Sequence, residues 1–556
     1  MSKIRIFSLG GVGENGKNMY VVEVDKHIFI LDAGIKYPDV DMYGVDAVIP
    51  KFDYLIEHKN QIEGIFASHG HEDNIGAIPY LLKSLKTRVY GSHFTISLIE
   101  ANLKANNMDV DEFKLFRIND NKVMKFGNVS VTFFNTTHSI PESLGINIST
   151  ADGNIVYCTD FNFGMNALGK YHTSFDKITD IGKEKVLALM CESISSGNIN
   201  RINNDSLLEH NFKSILSRYF KRIFIGAFST DLIRIQKIID LSIAANRKLA
   251  IINCNDERII NVAIDANYLK IDEDHFININ DYSKEEIAAL ENVVIIVTGF
   301  RIEPYFTLVK MAMGEDERIK FVKNDKVVLM CPPIPGTERQ TTDAINRLCE
   351  YDTDLSSFDK TVLRSAHASP DDLKLLYNLL KPEYVIPIKG EYRHMYDHLQ
   401  VALEAGYDRK NVILLDNGEI IEFDDGKLSD SAHEIIPTGD LLVDGSNVGF
   451  VDNNVLEERS QLAEEGAIII YGTVNLRRRM IEGHVEITAR GFTHSINEQE
   501  LNNSFGLTVE RILNNSLKKK KWDLNETCEI IEKEVSNLSY RFTKHRPIII
   551  PVICEV

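Results

Sequence analysis

The chain has 556 residues, 44% hydrophobic and 26% charged, and a formal net charge of −19. That length exceeds what one hydrophobic core supports, so about two to four domains are expected. The acidic balance excludes a protein that coats nucleic acid with its whole surface, because phosphate neutralisation needs basic charge; any nucleic-acid binding must use a local groove. No apolar run is long enough to span a membrane. The N-terminal MSKIRIFSLGG reads as a strand, not a signal peptide. The seven cysteines are scattered and form no CxxC. These features predict a cytoplasmic protein with neither a disulfide framework nor a cysteine zinc site.

Short alternating strands open the chain: IRIFSLG, MYVVEVD and HIFILDAG. Between the first two, Gly11, Gly13 and Gly16 spell GxGxxG. A dinucleotide fingerprint needs a helix next, and MYVVEV is another strand, so the glycines predict a tight turn. The strand IEGIFAS runs into SHGHEDNIG, helices follow at IPYLLKSLK and FTISLIEANLK, and strands return at VSVTFFNTTH and NIVYCTDF. From about 200 to 360, longer helices alternate with RIFIGAF, KLAIINC, NVVIIVTG and KVVLMCP, the pattern of a parallel α/β unit. Polar motif residues among short strands and helices resume at LRSAHASPDDLKLLYNLLKPEYVIPIKGEY, so the 200–360 block reads as an insertion. A last unit begins near 450 and ends in the apolar strand RPIIIPVICEV. The expected division is 1–198, an inserted 199–360, a return at 361–445, and 446–556 as linker and C-terminal domain.

Within SHGHEDNIG, His69, His71 and Asp73 alternate at the end of a strand, where a loop can turn alternate side chains toward one point. Gly70 is expected to let the backbone bend there. His138 ends VSVTFFNTTH, Asp160 ends NIVYCTD, and Asp32 ends HIFILD. A lone histidine is usually core or surface, and a lone strand-end aspartate usually caps a turn. His69, His71, Asp73, His138 and Asp160, in this order at strand ends, predict a zinc-type site with imidazole and carboxylate donors.

The order Asp32, His69-Gly-His71-Glu-Asp73, His138, Asp160 resembles the metallo-β-lactamase fold, and the insertion resembles that of its β-CASP subgroup, which acts on nucleic acids. Glu192 in LMCES, His367 in SAHAS and Lys389 in PIKGEY fall where that subgroup carries its motifs. GGVGENGKNMY, HSIPES, LKPEYVIPIKGEY and TKHRPIIIPVICEV resemble ribonuclease J along essentially the whole chain. The resemblance implies an αββα sandwich with an inserted α/β domain and a small C-terminal α+β domain. It implies a cytosolic RNA exonuclease and endonuclease that prefers 5′-monophosphorylated RNA. Asp73, Asp160 and His367 would be catalytic, and Ser365, Ala366 and His367 would hold an RNA phosphate. Asp32 and Glu192 would support the site.

By the same resemblance, one metal would use His69, His71, His138 and Asp160. A second would use Asp73, Asp160 and the positions of Asn74 and Lys389, where the family has histidines. An amide is a poor zinc ligand, and an ammonium held protonated by Asp73 and Asp160 repels a dication. His394 could substitute only if its helix pointed it inward. Lys389 is therefore expected to stand in for the second cation. One ion is expected rather than two: zinc structurally, manganese or magnesium for activity. Low turnover is expected, since two-metal hydrolysis clamps both oxygens. Other departures follow the same groove: Asp231 and Ile233 in AFSTDLIRIQ, Phe300, Arg301 and Ile302 in TGFRIEP, and Ala366. Asp231 is expected to repel phosphate. The pattern resembles the weakened paralogue of the family, which implies a hetero-oligomer with an active paralogue, or a homodimer or tetramer. A non-catalytic subunit is the alternative; thioester or lactam hydrolysis is disfavoured by the insertion and tail. The basic runs Arg477–Arg479 and Lys518–Lys521, with Trp522, could contact RNA, but such runs are more often solvated surface.

Overall fold

The computed structural model describes residues 2–556 except 40, 165–168, 199–204, 255–257, 335, 359–361, 364, 430–433, 446, 450 and 493–497. Residues Met1–Lys36 with Ile49–Leu441 form one compact unit, and Tyr37–Val48 with Leu442–Val556 form a second. The sequence pattern did not assign Tyr37–Val48 to the C-terminal unit.

In the first unit an eight-stranded sheet faces a six-stranded one. The strand Lys3–Gly10 pairs with Met19–Val24 on one side and with Ile421–Asp424, from the far end of the unit, on the other. Alternation aims one set of side chains from each sheet at the space between them. Ile4, Ile6, Val22, Phe29 and Leu31 meet Val131, Ile146, Ile155, Tyr157 and Ile388 there, all buried. On the outer face of the six-stranded sheet, Val156 and Leu189 pack against Leu373 and Leu376 of the helix Pro370–Leu380 and Leu399 of the helix Tyr392–Glu404. The helices Ile78–Leu85 and His93–Ala105 bury apolar faces on the side of the other sheet. The expected αββα sandwich is present.

Two stretches of parallel pairing place the candidate residues together. In the first sheet His27–Leu31 runs parallel to Ile62–Phe66, with Leu31 opposite Phe66. In the second, Gly153–Cys158, Val186–Glu192 and Tyr384–Ile388 run parallel, with Cys158 opposite Cys191 and Glu192 opposite Ile388. Parallel strands end on the same side, so Asp32, the loop at Ser68, Asp160, Glu192 and Lys389 all emerge at one edge of the sandwich. This is where ligands bind in parallel α/β sheets.

The inserted segment forms a five-stranded parallel sheet in the order Lys248–Asn253, Val293–Gly299, Arg222–Phe228, Lys326–Leu329, Asp354–Ser357. Its buried core is rich in Ile, Val and Leu, as two-sided burial demands. In the second unit, Met480–Arg490, Ala467–Asn475 and Ile548–Glu555 form a sheet. Ile468, Ile470 and Val474 of that sheet pack on the helices Glu498–Leu517 and Leu524–Thr543 through Phe505, Val509, Ile531 and Val535. Among the described residues all seven cysteines are free, and no helix is long and apolar enough to cross a membrane.

The segment with Gly11, Gly13 and Gly16 is a strand-to-strand turn, and all three have positive φ. It is longer than the expected tight turn, because Val12–Gly13 forms a short strand that pairs with Gly390–Glu391.

Candidate metal centre

The loop after Ile62–Phe66 lies on the chain that leaves His27–Leu31. Ala33 N–H donates to Asn74 O at 2.7 Å and Asn18 N–H to Asp73 O at 3.1 Å. A Cβ at Gly34 would fall 1.6 Å from Asp73 O, so the close approach requires glycine. The backbone bends at His69–Gly70 as expected, without a positive φ at Gly70, and a Cβ there would fall 2.4 Å from Leu98 Cδ1.

His69 Nε2, His71 Nδ1, His138 Nε2 and an Asp160 oxygen converge, with these atoms all within 4.8 Å of one another. His71 Nδ1 stands 3.1 Å from both His69 Nε2 and His138 Nε2, and His69 Nε2 is 3.2 Å from Asp160 Oδ2. Each outer nitrogen has a fixed partner. Ser68 Oγ donates to Asp32 Oδ2 (2.7 Å), so it accepts from His69 Nδ1–H at 2.9 Å. His138 Nδ1–H donates to Ala366 O at 2.9 Å, and His71 Nε2–H faces Thr230 O at 3.3 Å. With protons directed outward, the inner nitrogens present lone pairs to one point. Burial pushes His69 down to about 4 and His138 well below the usual imidazole range, which keeps both rings neutral. Lone pairs and a carboxylate facing each other at these distances are the donor set of a divalent zinc-type cation. The residues present fit one ion.

Asp73 lies outside that group. Its Oδ2 is 2.8 Å from Lys389 Nζ, which is also 2.6 Å from Asp160 and 3.0 Å from Asn74 Oδ1. Lys389 is 1% exposed. Burial opposes its charge, but Asp160 and Asp73 outweigh burial and raise its pKa. Burial likewise opposes ionisation of both aspartates, and Lys389 outweighs it, so both are held below the usual carboxylate range. The amide of Asn74 is read in one sense: Oδ1 accepts from Lys389, and Nδ2 donates to Asp32 Oδ2 at 2.7 Å. Asp32, fully buried, also accepts from Ser68 N–H and the Tyr157 hydroxyl, yet burial still lifts it to about 6. Asp32 and Lys389 both hold positive φ (61° and 55°), a costly backbone that their contacts must sustain.

His367 sits on the other flank of Asp160. Its Nδ1 is 2.7 Å from Glu192 Oε2 and 3.8 Å from Asp160 Oδ1. Burial acts against its charge, but Glu192 and Asp160 prevail and raise it to about 9, an imidazolium at neutral pH. Glu192 Oε1 is fixed by the amides of Phe161 (2.7 Å) and Ala368 (3.1 Å). Ser365 Oγ, exposed, accepts from His367 N–H at 3.1 Å and lies 3.2 Å from Ser195 Oγ. The carbonyl of Ala366 is occupied by His138.

Other predicted positions lie elsewhere. His394 is in the first turn of Tyr392–Glu404, where its Nδ1 accepts from Glu391 N–H at 3.2 Å as part of the cap. Asp231 caps the helix Leu232–Ala244, accepts from Arg234 N–H (3.2 Å) and pairs with the Arg234 guanidinium at 3.0 Å. Its charge is thus paired locally with Arg234. Of the segment Phe300, Arg301 and Ile302, Ile302 precedes the helix Glu303–Met313 and Arg301 has φ 47°. Arg477–Arg479 form a turn between strands, and Lys519 pairs with Glu526 at 2.8 Å. Trp522 packs on the C-terminal core and donates Nε1–H to Glu555 at 2.7 Å, so it is no free stacking platform. The sequence pattern alone did not reveal Ser68, Tyr157 and Asn18, which donates to Asp73 Oδ2 at 3.1 Å. Of these, Ser68 adjoins His69 and carried a legible signal; Tyr157 lies on a separate strand and Asn18 just before another.

Residues 38–185 match the beta-lactamase superfamily domain, 220–348 the ribonuclease J beta-CASP domain, 360–414 the Zn-dependent metallo-hydrolase RNA specificity domain, and 454–556 the ribonuclease J C-terminal domain. The chain is 36% identical over 556 residues to "Ribonuclease J 2" of Staphylococcus saprophyticus subsp. saprophyticus, covering 100% of this chain and 98% of that one. "Ribonuclease J 2" of Staphylococcus aureus is 34% identical with the same coverage. A solved structure of a protein of unknown function from Enterococcus faecalis, 15% identical, aligns with a TM-score of 0.50 over 76% of this chain and 100% of that one, a likeness of fold alone. The sandwich, the inserted parallel sheet, the C-terminal unit and this full-length similarity agree: the chain belongs to the ribonuclease J family.

Proposed function

We propose that the protein is a divalent-metal-dependent ribonuclease of RNA processing and decay, acting 5′→3′ on 5′-monophosphorylated RNA and also endonucleolytically, with one ion per site and low turnover. The observation that carries this is the shared Asp160: an intact donor group on one side and a buried ammonium on the other. Bound by His69, His71, His138 and Asp160, a divalent cation supplies Lewis acidity toward a phosphodiester. The remaining work falls to side chains. Glu192 holds the His367 imidazolium by Nδ1, leaving its Nε2 proton to be given to a departing oxygen. Ser365 and the charged His367 bind a phosphate beside it. Lys389 neutralises Asp73 and Asp160, so the second half of the site stays folded and contributes no second Lewis acid. Zinc suits the imidazole-rich donors, with manganese or magnesium as activators.

The division into 1–198, 199–360, 361–445 and 446–556 belongs to this reading, as does a cytoplasmic location. Association is supported by one face of the C-terminal sheet, where Ile469, Tyr471, Ile550 and Val552 are paired in register and exposed. A homodimer, a tetramer or a complex with an active paralogue would cover it. A catalytically silent subunit of such a complex is the second reading, favoured by Lys389 alone.

Purified protein is incubated with 5′-monophosphorylated RNA and manganese or magnesium, beside a His71→Ala variant prepared identically. Cleavage in the wild type and its loss in the variant is the expected result. No cleavage in either, with paralogue binding retained in both, supports the silent subunit.

A further inference from the structure

His71 directs its outward nitrogen at the inserted sheet unit as well as at the sandwich that carries it. Its Nε2 faces Thr230 O and Ser139 Oγ, each at 3.3 Å. Thr230 lies between the strand Arg222–Phe228 and the helix Leu232–Ala244. Ser139, the neighbour of His138, binds the same segment at two points. Its hydroxyl donates to Thr230 O at 3.1 Å, and its carbonyl accepts from Ile233 N–H at 3.2 Å. The hydroxyl hydrogen is thus spent on Thr230, and an oxygen lone pair is left toward His71 Nε2–H. His71 can present its Nδ1 lone pair to the metal group only with its proton on Nε2, and these two oxygens are the acceptors of that proton. Ser139 is itself buried.

We propose that Ser139 is a positioning residue: by clasping the inserted unit at Thr230 and Ile233 it sets the tautomer and orientation of His71, and so couples the seat of that unit to the grip on the divalent ion. The coupling is reciprocal, because an ion that favours the oriented His71 must favour the clasp by the same free energy. A cavity of about 190 Å³ opens at this seam, lined in part by Thr137, Ser139, Asp231, Ile233, Arg234 and Ser365. A chain that enters it bears on the clasp. The inference rests on the metal-binding part of the proposed function and not on RNA cleavage.

The test measures zinc affinity of the full chain against a chromophoric chelator, for wild type, Ser139→Ala, Ser139→Thr and His71→Ala. Loss of an outer partner weakens metal binding about tenfold or more. Ser139→Ala is expected to show that loss, and Ser139→Thr, which keeps the hydroxyl, to recover most of it. Hydrogen exchange of residues 229–235 is followed in parallel. Zinc is expected to slow it in the wild type and not in Ser139→Ala; the wild-type result stands even if a variant folds poorly. Wild-type affinity in Ser139→Ala with weak binding in His71→Ala overturns the positioning role while the metal reading survives. Unchanged exchange in zinc-loaded wild type overturns the coupling. Equal affinity in wild type and His71→Ala overturns the metal reading, and this inference with it.

Discussion

On one side of Asp160 stand His69, His71 and His138, with inner nitrogens turned to a common point; on the other stands Lys389, its ammonium 2.6 Å from the same carboxylate. Both sides must offset buried negative charge. The histidine side does so with neutral donors that need a cation from solution. The lysine side carries its cation covalently, and Asn74 is matched to it, accepting from Lys389 and donating to Asp32. Asn74 and Lys389 thus read as one paired replacement. On the proposed one-ion reading, a side-chain cation takes the place of a second metal and keeps the fold, at the expense of Lewis acidity.

The largest expected effect breaks the lysine side. Lys389→Met leaves the buried Asp160, and the partly exposed Asp73, without their counter-ion and should cost on the order of 3–5 kcal/mol in urea unfolding of the metal-free protein at neutral pH. A cost within about 0.5 kcal/mol would mean that Lys389 carries no structural charge. The pH dependence has a definite sign. Asp73 and Asp160 are held below their ordinary values, so their contribution is present above about pH 4 and lost as pH falls through the folded values. The gap between wild type and Lys389→Met should therefore narrow in acid.

A somewhat smaller effect belongs to His367, raised to about 9 from 6.5. Its contribution is fully present below pH 6.5 and lost as pH rises through about 9, on the order of 3 kcal/mol. In the metal-free protein His367→Gln should flatten the stability profile across that window. An unchanged profile would place the proton elsewhere. The smallest effect sharpens the histidine side: Ser68→Ala removes the acceptor of His69 Nδ1–H and should weaken zinc binding about tenfold, with little change in the fold.

Much of this was legible in the chain. Residues at strand ends, in the order Asp32, His69, His71, His138, Asp160, converge because parallel strands finish on one side. The departures at Asn74 and Lys389 were legible as a pair. The fixing of tautomers was not, because Thr230 and Ala366 act through carbonyls that any residue possesses. The cap and the Arg234 pairing of Asp231 were not legible either, because a sequence shows a charge but not its partners. Four strands of the inserted sheet stood out as apolar runs, whereas Asp354–Ser357 is short, polar and at the edge, with no run to show. Tyr37–Val48 carries no strong pattern; its small buried cluster of Val45 and Val48 with Leu442 exists only once distant segments meet.

The central claim, that Lys389 with Asn74 occupies the place of a second ion, is tested most directly by counting bound zinc. Wild type and the double variant Asn74→His, Lys389→His are loaded, dialysed and measured for metal per chain. The account predicts one ion in the wild type and two in the double variant. Two ions already in the wild type, or no gain in the variant, would contradict it.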